Sequence, residues 1–338
     1  MAYMKNPEKN DGSQFSAYDP SQATFLPYYF NATLLSFGGR SGYITMEVTP
    51  TFHGAILRIK YPKPDKSPLA TDWDQTRRLM FMLDGGGRDL LVGVDPLSGK
   101  TTVSGTSTQS SAHGISGIGP NFGHYFYATI SGGGGGKTPS VDEDAVVAPT
   151  GVVTTGTSGD GLPFRTFLSF DADDDRTETL IVRIATSLIS TEQAKTNHAN
   201  EVKDYSFDEV LAASKAEWND LFSAVTVNEV GSGIDAKQEV DYLTIFYSSL
   251  YRASKYPRKL YETSAAGDLV HWSPHTGNVT SGRMSSDQGF WDAYRTTYSI
   301  QTLLWPRRVC EIFDGWLNVY KEAGWIVQWT SPGHRNSM

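Results

Sequence analysis

A chain of 338 residues with 33 glycines, 17 tyrosines and 8 tryptophans has room for two domains, and suits a turn-rich β part joined to an aromatic-lined helical part. A formal net charge of −8, with no stretch rich in Lys and Arg, excludes nucleic acid and anionic membrane surfaces as partners and favours a neutral small molecule. No apolar run approaches the roughly 20 residues that span a bilayer, the N-terminal residues lack the apolar core of a signal peptide, and the single Cys310 excludes an intramolecular disulfide.

After a polar start, short β-like runs alternate with Gly, Pro, Asp and Ser. They are Tyr28 to Leu34, Tyr43 to Val48, Gly54 to Lys60, Leu79 to Leu83, Leu90 to Val94, His124 to Ile130, Phe164 to Phe170 and Leu180 to Ala185. Ile44, Met46 and Val48 share one face at period two, as do Leu180, Val182 and Ile184. With no long helical pattern between the runs, residues 1–189 are predicted to form an antiparallel β-sandwich.

Two motifs inside this region are set aside. In SGGGGGKTPS, Ser131 stands where a phosphate loop needs its first Gly, and Pro139 with an acidic run follows where a helix is required, so a flexible tip is expected. Asp171 to Asp175 is acidic but lacks the Gly and terminal Glu of a calcium loop, and reads as a solvated turn.

The character changes near Ser190. Ser190 with Gln193 and Ser206 with Glu209 have capping-box spacing, so two helices start there, the second carrying Leu211, Trp218, Leu221 and Phe222. Residues 190–234 read as a helical linker ending at the Gly231 and Gly233 interruption. A third helix starts near Asp235, with Val240, Leu243, Phe246 or Tyr247, and Leu250 at helical spacing, and Pro257 ends it. A loop with His271, Trp272, His275 and Asn278 follows. Pro274 disfavours the helix that would set the two histidines on one face as metal ligands. The fourth helix places Phe290, Tyr294, Thr297 and Gln301 on one face and stops at Pro306. The fifth has a stripe of Val309, Ile312, Phe313, Trp316, Leu317 and Tyr320, Gly324 as its C-cap, and Cys310 on its apolar side as a buried thiol. Residues 235–338 are therefore an all-α second domain.

The chemistry concentrates in the fourth helix. Asp292 and Arg295, three apart, share one helix face between Trp291 and Tyr294. A carboxylate and a guanidinium on an aromatic wall suit a sugar, whose hydroxyls bind the charges and whose apolar face stacks on rings. The plainer alternative is a solvated ion pair on a core helix. Asn31-Ala32-Thr33 and Asn278-Val279-Thr280 are N-glycosylation triplets, weak pointers to a secretory protein.

Gln288-Gly-Phe-Trp-Asp-Ala-Tyr-Arg295, then Thr302-Leu-Leu-Trp-Pro306 and Gly324-Trp-Ile-Val-Gln-Trp329, resemble the signature of glycoside hydrolase family 92, the calcium-dependent exo-acting α-mannosidases. Upstream, Tyr28-Tyr29, Met46-Glu-Val-Thr-Pro-Thr51, Ile184-Ala-Thr-Ser-Leu-Ile-Ser190 and Phe246-Tyr-Ser-Ser-Leu-Tyr-Arg252 resemble family segments in the same order. Ala293 replaces a Thr of the family motif, and Trp325-Ile-Val replaces a Leu-Pro pair before Trp329.

The resemblance implies a multi-domain β + α fold: an N-terminal antiparallel β-sandwich, a helical linker and the first helices of an (α/α)6 barrel. It implies removal of mannose from mannosides or N-glycans, of α-1,2 type, with inversion, a Glu acid, a Asp base and a Ca2+ ion. It also implies a secretory location. Asp292, Arg295, Trp291 and Trp329 would form the mannose subsite. Inversion needs two carboxyl groups roughly 6.5–9.5 Å apart. In the family both lie C-terminal of the motifs found here, so no catalytic residue is assigned within this chain, which is expected to be a fragment truncated at both ends and inactive alone. Helix counting agrees: about three barrel helices follow the linker where a closed ring needs about twelve. The alternatives are a non-catalytic carbohydrate-binding or remnant protein, or another glycosidase or glycoside phosphorylase built on a sandwich and an (α/α)6 barrel.

Overall fold

The structure, a computed structural model, describes residues 2–3, 17–35, 43–62, 77–83, 88–107, 123–132, 140–141, 146–148, 151–154, 164–170, 178–286, 288–326 and 329–330. The Gly-rich insert after Ser131 and the Asp171 to Asp175 run lie outside them for the most part, and so does the structure of the chain's last eight residues. The chain forms two units, Met1–Gln109 with Gly123–Ser214, and Ser110–Phe122 with Lys215–Met338.

In the first unit the strands are β1 (Ala2–Tyr3), β2 (Thr24–Leu26), β3 (Tyr29–Leu35), β4 (Tyr43–Pro50), β5 (Gly54–Tyr61), β6 (Arg77–Leu83) and β7 (Arg88–Val94). They continue with β8 (Thr101–Ser107), β9 (His124–Ser131), β10 (Ser140–Val141), β11 (Val146–Ala148), β12 (Gly151–Thr154), β13 (Phe164–Phe170) and β14 (Glu178–Ser187). All eight expected strands are present. They form a ten-stranded antiparallel sheet, ordered β11-β12-β7-β8-β9-β14-β5-β4-β3-β2, and a four-stranded one, β1-β6-β13-β10. The sandwich core lies between them: Ile44, Ile59, Val103, Ala128, Leu180 and Val182 of the large sheet meet Leu79, Leu83 and Leu168 of the small one. The period-two faces read from the sequence are the faces that point inward.

The other face of the large sheet is covered by helix α1 (Thr191–Glu201) and the start of α2 (Phe207–Phe222) through Ile56, Val202, Phe207 and Val210. Both expected N-caps are made. Ser190 accepts from the Gln193 amide, and Ser206 and Glu209 bond reciprocally, Glu209 accepting the Ser206 amide at 2.8 Å and Ser206 the Glu209 amide at 3.2 Å. The stretch read as a linker is thus divided: α1 and the first turns of α2 pack on the sandwich, and Lys215 onward belongs to the second unit.

Polar groups under these helices are paired. Glu201 accepts from Thr51 Oγ1 at 2.6 Å and from the His53 amide at 2.8 Å, and its other oxygen lies 2.6 Å from His53 Nδ1. Burial raises the Glu201 pKa, but these hydrogen bonds outweigh it and hold the carboxyl below its usual range. His198, 3 % exposed, contacts Thr129 Oγ1 at 3.0 Å. Burial, with smaller contributions from Arg183, Lys100 and Lys203, lowers its pKa from 6.5 to about 4.

The unfolded chain therefore takes up the His198 proton between about pH 6.5 and 4 while the folded chain does not, so this term favours folding fully above pH 6.5 and is lost as pH falls toward 4. The expected loss is about 3 kcal/mol. Denaturant midpoints measured across that window should fall steeply for the wild type and less steeply for His198→Gln. Parallel slopes would show that His198 does not carry the effect.

Candidate functional site

The second unit is organised by buried polar side chains. Helix α3 (Ala236–Ser254) begins at a full capping box between Asp235 and Gln238. Its C-terminal end is met by helix α5 (Thr297–Leu304) and the start of α6 (Pro306–Ala323). Gln301, fully buried, donates from Nε2 to the Ala253 carbonyl at 2.8 Å and to the Tyr256 carbonyl at 2.9 Å, and Arg308 donates to the Ser254 carbonyl. These donors satisfy carbonyls that the helix end leaves open. Trp305 Nε1 donates to the Leu221 carbonyl at 2.9 Å.

Between α3 and α5 the expected loop is in fact a meander. Strands β15 (Arg258–Lys259), β16 (Tyr261–Thr263), β17 (Leu269–Ser273), β18 (Asn278–Ser281) and β19 (Ser285–Ser286) precede β20 (Gln288–Gly289) and helix α4 (Phe290–Ala293). His271 on β17 is fully buried. It donates from Nδ1 to the Gly282 carbonyl at 2.9 Å, and its Nε2 lies 2.9 Å from Glu322 Oε1 on α6. Both ring nitrogens are thus committed to the fold and not to a metal. Met284 and Val319 pack with Leu260, Phe290 and Ala323, and Gly315 lets α6 lie on β19, where an added Cβ would come within 3.1 Å of the Ser285 backbone nitrogen.

This scaffold presents the candidate residues. Phe290 is held edge-on to Trp316 at 4.7 Å, and Tyr298 meets the same ring at 5.6 Å. Burial raises the Tyr298 pKa, keeping its hydroxyl protonated. Strand β21 (Trp329–Thr330) pairs with β20 so that Trp329 stands opposite Gly289, next to the segment that bears Trp291 and Asp292. Strand pairing thereby brings two distant parts of the sequence motif together. Trp291 is 59 % exposed, and Asp292, Tyr294 and Arg295 are exposed as well.

The expected fourth helix from Phe290 through Gln301 is broken. Helix α4 stops at Ala293, and Thr296 departs from helical geometry with φ −134°. Tyr294, Thr296, Thr297 and Tyr298 are ring-bearing or β-branched residues that resist a continuous helix. Asp292 and Arg295 are therefore not a helix-face pair: among the described residues no ion pair joins them. Arg295 instead donates from Nε to the Tyr294 hydroxyl at 2.7 Å, its guanidinium 5.3 Å from that ring's centre. Asp292 has no side-chain partner among the described residues.

Other expectations resolve differently. Cys310 is exposed rather than buried. On α6 the buried positions are Val309, Ile312, Gly315 and Val319, whereas Phe313, Leu317 and Tyr320 of the expected stripe face outward. Asn31 is half-buried in β3 and donates to the Tyr29 hydroxyl at 3.1 Å, while Asn278 is exposed on β18 and donates to the Thr276 carbonyl at 3.0 Å. Among the described residues no three His, Cys, Asp or Glu side chains converge on one point. No described helix is long and apolar enough to cross a membrane.

Comparison with known proteins covers nearly the whole chain. Residues 1–187 match the glycosyl hydrolase family 92 N-terminal domain, and residues 193–338 match the glycosyl hydrolase family 92 catalytic domain. Among solved structures, the inverting mannosidase BT2199 of family GH92 from Bacteroides thetaiotaomicron VPI-5482 superposes with a TM-score of 0.76 at 26% identity, over 100% of this chain and 40% of its own. The GH92 α-mannosidase BT3965 from Bacteroides thetaiotaomicron gives 0.69 at 18% identity, over 96% of this chain and 40% of its own. The GH92 glycosyl hydrolase ccman5 gives 0.67 at 21% identity, over 92% and 38%. No curated protein sequence matches. The 338 residues thus span about 40% of the length of the structures they resemble.

Proposed function

The chain belongs to glycoside hydrolase family 92, and from that premise we propose that it is part of an exo-acting α-mannosidase, supplying its β-sandwich, the first helices of its (α/α)6 barrel and one side of its mannose subsite. The observation that carries the subsite is the exposure of Trp291, Asp292 and Arg295 together, on a segment anchored from behind by Phe290 and by the pairing of β20 with β21. A surface carboxylate with no partner among the described residues is available to accept from vicinal sugar hydroxyls. Arg295, steadied through Nε by Tyr294, keeps its remaining N–H groups for a sugar oxygen. The exposed Trp291 ring suits the apolar face of a pyranose, and Trp329 is brought alongside by its backbone.

These residues bind and orient; none of them is proposed to transfer the proton. In this reading the acid and base of an inverting, α-1,2-directed reaction are supplied by sequence outside residues 1–338, as is the cradle for the Ca2+ ion, which would help distort the bound mannose. Supporting this, the second unit exposes apolar helix positions that a barrel would cover: Val240 at 61 %, Leu303 at 77 % and Leu317 at 50 %. The substrate class is a mannose-containing oligosaccharide or glycan.

A version extended along its reading frame to the length of those relatives tests the substrate and metal. It should release mannose from an aryl α-mannoside, leave the α-glucoside untouched, and lose activity to a calcium chelator. Equal turnover of the glucoside would overturn the mannose assignment. Full activity in chelator would remove calcium from the scheme.

A further inference from the structure

The fold treats the two Asn-x-Thr triplets differently. Asn31 lies within the large sheet, on β3, opposite Thr24 of β2 on one side and Glu47 of β4 on the other. Two residues from Tyr29, it shares the strand face on which Tyr29 packs against Ile56, Phe207 and Val210, under the helices. Its amide is part of a chain of hydrogen bonds. Asn31 Nδ2 donates to the Tyr29 hydroxyl at 3.1 Å, that hydroxyl donates to Glu47 Oε1 at 2.8 Å, and Glu47 Oε2 accepts from Arg58 Nε at 2.6 Å. The Arg58 guanidinium lies 4.2 Å over the ring of Phe207, the first residue of α2. A branched sugar on Asn31 would wedge this helix away from the sheet.

Asn278 is the first residue of β18, the outer strand of the sheet β16-β17-β18, and it is exposed. The turn that delivers it is tied to Ser273: the Gly277 amide donates to the Ser273 carbonyl at 2.9 Å and the Thr276 amide to Ser273 Oγ at 3.2 Å. Gly277 takes φ +69°, which its missing Cβ permits. Asn278 bonds within this same turn, Nδ2 donating to the Thr276 carbonyl at 3.0 Å. The amide nitrogen carries two hydrogens, so one can keep that bond while the other is replaced. Val279, the middle residue of the triplet, is 49 % exposed and satisfies the rule against proline there.

We propose that Asn278 is the N-glycan acceptor of this chain and that Asn31 is not. The Asn278 amide nitrogen attacks the anomeric carbon of an oligosaccharide carried on a polyprenyl pyrophosphate. A C–N bond forms, the C–O bond to the pyrophosphate breaks, the pyrophosphate leaves with the bonding pair, and the amide gives up one proton. A bulky, hydrated glycan is compatible with the native fold only at a surface position, which Asn278 occupies. The site lies within the second unit and does not depend on the mannose reading.

The test sends the 338-residue chain into a eukaryotic secretory pathway behind an added signal peptide and maps the soluble product by mass spectrometry of tryptic peptides. The peptide of residues 260–283, whose one Asn is Asn278, should carry a glycan, and the peptide of residues 10–40, which contains Asn31, should be bare. A glycosidase that cuts at the Asn–sugar bond should release the glycan from the folded protein without denaturant. Thr280→Ala, which keeps Asn278 but breaks the triplet, should abolish the modification, and Thr280→Ser should retain it. A soluble product bare at Asn278, a glycan at Asn31 instead, modification of Asn278 confined to insoluble protein, or undiminished modification in Thr280→Ala would overturn the proposal.

Discussion

In the extended chain, Asp292→Ala lowers kcat/KM for an aryl α-mannoside by about 100-fold and leaves the thermal unfolding curve where it was. The two halves of this expectation rest on the same observation. Asp292 is exposed and has no partner among the described residues, so its removal strips nothing from the fold. What it removes, in the proposed reading, is a charged acceptor for sugar hydroxyls, whose bonds are the stronger kind. Asp292→Asn, which keeps an acceptor oxygen and loses the charge, should fall between the two. Near-normal turnover by the Ala variant would sink the subsite assignment, and a large fall in melting temperature would recast Asp292 as structural.

The largest stability effect is expected at His271. Its side chain is 0 % exposed and that of Glu322 is 7 % exposed. Among the described residues Glu322 Oε2 already has no hydrogen-bond partner, so His271→Ala leaves a buried carboxyl group with no described partner on either oxygen. Breaking a buried pair from one side destabilises by about 3–5 kcal/mol. The contact also joins β17 to the last turns of α6, so tryptophan fluorescence of the second unit should report the loss. Replacing both partners by Leu should recover most of it, because no unpaired group then remains buried. If the single and double variants unfold at the same denaturant concentration, the pair is not what holds these elements together.

The physical reasons for what could be read beforehand are uneven. The sandwich was legible because its strands bury one face and so alternate, as from Ile44 and from Leu180. Strand β8, TTVSGTS, escaped because Val103 is its one large apolar residue and its small Gly105 is what lets Phe126 and Leu83 close over it. Helix starts were legible through their caps, since Ser190, Ser206 and Asp235 act locally. The meander escaped because its pairing buries His271, Glu262 and Ser273, polar residues that carry no apolar period.

On α6, periodicity found an apolar helix but not which flank faces this unit. Gly315, invisible to a hydrophobic pattern, marks the side that touches β19, and Phe313 and Leu317 are left outside. In the candidate site, Trp291, Asp292 and Arg295 were legible as residue types at close spacing. Their relation was not: the break after Ala293 and the Tyr294 hydroxyl decide where Arg295 goes, and the pairing of Gly289 with Trp329 is long-range.

The most direct test sets the 338-residue chain beside the version extended to the length of its relatives and measures mannose released from the same aryl α-mannoside. The expected result is release by the extended version and none above background by the shorter one, because in the proposed reading Trp291, Asp292 and Arg295 would hold the sugar while the proton-transfer pair would be supplied from elsewhere. Comparable release by the 338 residues alone would contradict that division.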